Sequence, residues 1–248
     1  MRVARVVIHA EVTSFRYPFF VTGRQPSFSM PPPSTIHGHC ASALGDWPDP
    51  SSFYFGIHFS YRARATDLEH QHLALGMRAK LMVPTPSGEA RASTEIRVQP
   101  VVREFLFDCS LTLYLAPELG HAFREPVFPV VLGRSQDLAE VVSVEEVFLS
   151  RPGRARLEHT LLPLSVRPCV RFGPTILLSR RIEPPPGRDA IFAQYIALHE
   201  PVFLGEGANP NRALMSVPGI DLDPLWVDPA FEDSEGFARG VWIHRLVD

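Results

Sequence analysis

REFLFDCSLTLYL, residues 103–115, is the stretch whose reading decides the fold. Phe105, Phe107, Cys109, Leu111, Leu113 and Leu115 alternate with Asp108, Ser110 and Thr112. That two-residue period is the mark of a half-buried strand. Upstream, Phe53, Phe55, Ile57, Phe59 and Tyr61 repeat it. So does the opening of the chain, where Ala4, Val6, Ile8, Ala10 and Val12 face one side and Arg5, His9, Glu11 and Thr13 the other. Downstream, VSVEEVFL (142–149) gives a fourth strand. Between the first two strands, Ser34 stands where an N-cap belongs, ahead of a helix that Gly45 and Pro48 end. Beyond residue 115, Pro117 opens a short helix reaching Phe123.

The order is strand, helix, strand, arm, strand, helix, strand. It predicts an α+β fold: a ferredoxin-like, RRM-like β-α-β-β-α-β palm. The arm, about 65–102, lacks a core pattern and carries the turn PTPSG at 84–88. It is expected to protrude as an inserted β-hairpin thumb. The palm is placed at 1–150 and a small β-rich C-terminal subdomain at 151–248, where short apolar runs are cut by Pro and Gly.

The 248 residues are 45% hydrophobic and 21% charged, which suits a globular chain. With 25 prolines, long coiled coils and helical repeats are excluded. No apolar run is long enough for a membrane helix, and the alternating N-terminus reads as a strand and not a signal. Cys40, Cys109 and Cys169 form no close pair, so reduced thiols and a cytoplasmic location are expected. The net charge is −3 but uneven. Residues 1–110 carry eleven basic and nine acidic groups, and 200–248 carry three and nine. Acidity therefore collects at the C-terminal end.

No Walker loop, dinucleotide fingerprint, nucleophile elbow or zinc pattern occurs, so no cofactor or metal is expected. His37 and His39 are two apart on a helix and diverge; His70 and His72 share a strand face. His37, near the helix start, is the one candidate general base, against the plainer reading of a histidine without chemistry. Anion binding is better supported. Ser34 and Thr35 stand at a helix N-terminus, where N–H groups point outward. Arg24 lies in the loop before them. The arm carries Arg78, Lys80, Arg91, Arg97 and Arg103 and is net positive. Gly133-Arg134-Ser135 forms a further anion-compatible loop. Arg16 sits among Phe15, Tyr17, Phe19, Phe20 and Phe28, a mixture suited either to base stacking or to a core.

Four stretches together resemble one family: PPPSTIHG (31–38) with ASALG (41–45), REFLFDCSLTLYL (103–115), PVVLGRSQDLA (129–139) and VTSFR (12–16). The chain resembles the CRISPR-associated RAMP superfamily, and within it the Cas-five subunit of type I Cascade complexes, nearest the type I-B form. The resemblance covers residues 1–150. It implies a non-catalytic subunit that caps the 5′ handle of the CRISPR RNA (crRNA). It also implies contacts with the Cascade backbone and large subunits, and target DNA met only indirectly. Arg16, Arg24, Ser34, Thr35, His37, Arg78, Lys80, Arg91, Arg97, Arg103, Gly133, Arg134 and Ser135 are the expected RNA contacts. One branch of the family cleaves precursor RNA with a Tyr, Lys, His set. Here Lys80 is the sole lysine and Leu81 follows it, so no catalytic residue is expected. Two alternatives stay open: a metal-independent endoribonuclease maturing crRNA, and an unrelated β-rich protein for a small molecule.

Overall fold

The computed structural model describes residues 1–20, 23–75, 95–183 and 188–247, with backbone alone at 73–75 and 95–97. The architecture is mixed α+β and rich in strand. Its main sheet is built from β1 (Arg2–Thr13), β3 (Tyr54–Leu75), β4 (Glu95–Leu115) and β5 (Glu140–Phe148). They lie in the order β3-β4-β1-β5, every neighbour antiparallel. A two-residue strand, β2 (Arg24–Gln25), pairs parallel with β4 beyond the end of β1.

β3 and β4 form one ladder of constant register, interrupted at Arg62 and Asp108, from Phe55 opposite Leu115 out to Leu75 opposite Glu95. The expected arm is thus the outward continuation of two core strands. At the sheet end both strands bury one face, with Phe53, Phe55, Ile57 and Phe59 each at most 1% exposed. Farther out most described residues of β3 beyond Tyr61 are exposed, and the alternation that marks a strand in sequence fades.

The expected alternation of β4 fails at one residue. Cys109, Leu111, Leu113 and Leu115 are buried as predicted, but Phe107 is 41% exposed and Leu106 is fully buried. Asp108 between them adopts φ 54°, in the left-handed region. One such residue turns the strand, so the inward position passes from odd to even numbers.

α1 (Pro33–Leu44) and α2 (Pro117–His121) pack on one face of the sheet. The N-cap of α1 is Pro32, and Ser34 lies inside the first turn with no side-chain cap bond. This corrects the expected Ser34 cap: Pro33 supplies the fixed φ and the missing N–H that suit the first helical position. Gly45 closes the helix in the left-handed region, its N–H bonded to the Ala41 carbonyl at 2.8 Å.

The remaining strands form two smaller sheets. One contains β6 (Ala155–Leu157), β10 (Val202–Leu204), β11 (Leu225–Glu232) and β12 (Ala238–Trp242). The other is β7 (Thr160–Pro163), β9 (Ala190–Leu198) and β8 (Thr175–Ile182). β13 (His244–Arg245) returns to the main sheet beside Tyr54 and Phe55. The main core joins Ile8, Ile36, Phe59 and Leu111 to Leu161, Leu178 and Tyr195 from the later strands. On the opposite sheet face Asp228 is 1% exposed and accepts from Arg5 Nη1 at 2.8 Å and Tyr114 Oη at 2.9 Å. All three cysteines are free and buried, and burial pushes the Cys40 and Cys109 thiols up. Among the described residues no helix is long and apolar enough to cross a membrane.

Candidate nucleic-acid interface

A cleft of about 380 Å³ opens between α1, the end of β1, the Gly133 loop and the β8–β9 hairpin. It brings together Arg16, Ser34, Thr35, Arg103, Gly133 and Arg134 from four separate stretches of chain. Ser179, Ile182 and Phe192 of the hairpin form the facing wall. Sequence reasoning missed that wall. Its only signal was a pair of short apolar runs, 175–179 and 191–198, with nothing to tie them to the N-terminal half.

Each part has a local cause. α1 starts at the cleft because three consecutive prolines end the preceding loop there. Ser34 Oγ is hydrogen-bonded to Ser179 Oγ, which joins helix to hairpin. Gly133 has φ 93°, and a Cβ there would lie 2.4 Å from Thr13 Oγ1 and 2.8 Å from the Ser14 carbonyl. Only glycine fits that approach of the loop to the end of β1. Thr13 Oγ1 donates to the Leu132 carbonyl at 2.5 Å and fixes the same contact.

The arginines are not free. Arg103 Nε and Nη2 donate to Glu69 at 3.1 and 2.9 Å. Arg134 Nη1 donates to Glu69 at 3.0 Å, while its Nε and Nη2 donate to Asp137 at 2.8 and 2.7 Å. Hydrogen bonds and charge from both arginines hold the Glu69 carboxyl below its ordinary range. Two positive and two negative groups make the cluster formally neutral. Arg103 was expected as an RNA contact on the arm; its side chain is 5% exposed, not open to solvent. The pairing explains the difference, since a buried guanidinium needs a carboxylate beside it. Arg16 is exposed at the cleft rim.

Other expected contacts lie elsewhere. His37 is 3% exposed, with Nε2 donating to the Pro48 carbonyl at 2.8 Å and its ring against Phe53 and Trp47. Burial lowers its pKa. It is a packed histidine outside the cleft lining. Arg24 is 69% exposed and lies 3.5 Å from Glu104, outside the lining. Ser135 is exposed on the Gly133 loop. Arg97 sits on β4 opposite Leu73. Arg78, Lys80 and Arg91 fall outside the described residues.

The aromatic group divides in two. Phe15 and Phe28 are core residues at 3% and 4% exposure, and Tyr17 stacks on Phe28 with centroids 3.7 Å apart. Phe19 and Phe20 are 70% and 49% exposed. Phe19 lies 5.7 Å from Phe192, so an aromatic edge borders the cleft.

No family model matches the sequence, and no curated protein does. Solved structures do. A chain from a CRISPR RNA-guided surveillance complex superposes with a TM-score of 0.51, at 16% identity, over 88% of this chain and 95% of that one. The two share a fold. A CRISPR protein from Archaeoglobus fulgidus aligns over 99% of this chain and 100% of its own, at 11% identity and a TM-score of 0.48. A crystal structure of a Cas protein aligns over 88% and 100%, at 15% and 0.35. Those two scores are too low to carry an argument. At such identities the likeness speaks for the fold alone.

Proposed function

We propose that the chain is a non-catalytic RNA-binding subunit of a type I Cascade surveillance complex. In this reading it is similar to the Cas-five subunit of the type I-B form and holds the 5′ handle of the crRNA. The strand order β3-β4-β1-β5 with two helices on one face supports the ferredoxin-like palm, and the β3–β4 extension supports the thumb. One observation carries the functional reading: the cleft gathers hydroxyls, a glycine loop and three arginines, with exposed Phe19 against Phe192 of its wall. Single-stranded RNA is held by such combinations of backbone contact and stacking.

The cleft lining supports binding without cleavage. Among its described residues there is no His, Lys, Tyr or carboxylate to take a 2′-hydroxyl proton. The backbone and large subunits are the expected protein partners, with target DNA met through them.

The test is co-purification of the chain with its genomic neighbours and sequencing of the retained RNA. Repeat-derived 5′ ends are expected. A companion incubation of repeat RNA in EDTA is expected to leave the RNA whole; site-specific scission would favour the endoribonuclease. A handle oligonucleotide that fails to shift in a gel at low salt would move the case to a small-molecule protein.

A further inference from the structure

The two cleft arginines that line the RNA site are already satisfied by carboxylates, and the two carboxylates differ. Asp137 has a side chain 3% exposed, and its main chain is bonded to Leu132 and Arg134 within the loop. Its ion pair is part of the loop's own fold. Glu69 has a side chain 25% exposed and projects from β3 at the base of the arm. It reaches across to Arg134 in the loop and, on its own hairpin, to Arg103 in β4. Both arginines line the cleft on their other side.

We propose that Glu69 is an exchangeable latch: an RNA phosphate entering the cleft takes Arg103 and Arg134 from Glu69, and this unties the arm base from the Gly133–Asp137 loop. The idea rests on the RNA-binding reading above and adds what governs it. The charges favour the exchange. A phosphodiester carries one negative charge, as Glu69 does, so the cluster remains neutral after the swap. The displaced carboxylate is already partly in water and completes its hydration there. Asp137, walled in by the loop, has no such exit. Arginine forks pair with phosphate oxygens as readily as with carboxylates. Pulling Arg134 from Glu69 breaks a side-chain tie between arm and loop, while β2 pairing and Gln71 on Gln25 still hold the arm base among the described residues. Occupancy of the cleft is thereby coupled to the position of the arm.

The test compares Glu69→Gln with the unmodified chain, since glutamine keeps the size and removes the competing charge. Binding of a short labelled single-stranded RNA is measured across a salt series. The variant is expected to bind about three- to tenfold more tightly. Its salt dependence should steepen by roughly 0.7 for each additional phosphate that the protein neutralises. Unchanged or weaker binding overturns the latch, because it makes Glu69 a support for the arginines and not a rival to RNA. Amide exchange in the absence of RNA gives a second readout. Segments 98–104 and 132–138 should exchange faster in the variant; identical exchange overturns the coupling. If neither protein binds RNA, the functional reading fails and the phosphate exchange fails with it, whereas RNA binding that Glu69→Gln leaves unchanged overturns the latch alone.

Discussion

Two of the arginine–carboxylate clusters that tie this chain together differ in what stands beside them. At the join between the main sheet and β11, Arg5 and Tyr114 meet Asp228, which is 1% exposed. At the cleft, Arg103 and Arg134 meet Glu69 and Asp137, with the cleft itself on their far side. Asp228 in the first cluster is walled in, with a side chain 1% exposed, so it is mortar. The second borders an open cleft of about 380 Å³. An ion pair counts as a binding element by its access to solvent and its partner's freedom to leave, not by its length.

The strongest way to break the comparison is Asp228→Ala. It leaves Arg5 paired with Glu145 alone and the buried Tyr114 hydroxyl without its acceptor, and should cost about 1–3 kcal/mol, read from urea or thermal unfolding. RNA affinity of the remaining folded protein should be unchanged. A variant that loses RNA binding while keeping its stability would erase the distinction between the clusters.

Acid should separate them next. Burial and nearby Arg239 lower His58 to about 3, and burial lowers His244 to about 4, against an ordinary 6.5. A histidine depressed in the folded state takes its proton more readily when unfolded. Stability is therefore full above pH 6.5 and falls as pH drops toward 4, by an amount on the order of a few kcal/mol. Glu69, with a depressed carboxyl, keeps its contribution until pH falls below its ordinary 4.5. Between pH 6.5 and 5 the melting temperature should drop while RNA affinity per folded molecule holds. His58→Asn should flatten the stability profile; an unaltered profile would remove His58 from the account.

Asp137→Ala sharpens the contrast from the cleft side. It frees Arg134 but unpins the Gly133 loop, and should cost about 1–3 kcal/mol. RNA binding should weaken, opposite in sign to Glu69→Gln. Smallest in stability is Arg16→Ala at the exposed rim, expected within about 0.5 kcal/mol of the parent. Its RNA affinity should still fall and its salt dependence flatten, as fluorescence anisotropy would show.

Strands β1, β3 and β4 were legible because over much of their length one face is apolar core and the other carries polar residues, which writes a period of two into the sequence. The Ser34-Thr35 and Gly133-Arg134 elements were legible as local motifs, and the structure brings them to one cleft. Phe107 was misplaced because a single left-handed residue, Asp108, reverses the alternation, and an aspartate within a strand does not announce that turn. The partners of Arg103 and Arg134 were hidden for another reason. Glu69 lies 34 and 65 positions away, and ion pairs at such separations depend on sheet register and loop path. His37 looked available because its short-range context is a helix start. What buries it is the Pro48 carbonyl and two aromatic rings supplied by the turn that follows.

The pairing of His244 and Arg245 with Tyr54 and Phe55 has a kinetic consequence. A sheet whose first strand begins at Arg2 is completed only when residues more than two hundred positions later arrive. A ribosome making about 5–20 residues per second needs on the order of 10–50 s to supply them. During that wait the edge of β3 near Tyr54 stands open to foreign strands. A nascent chain of this design gains from a chaperone, or from early capture by an assembly partner, before its own last strand can close the gap.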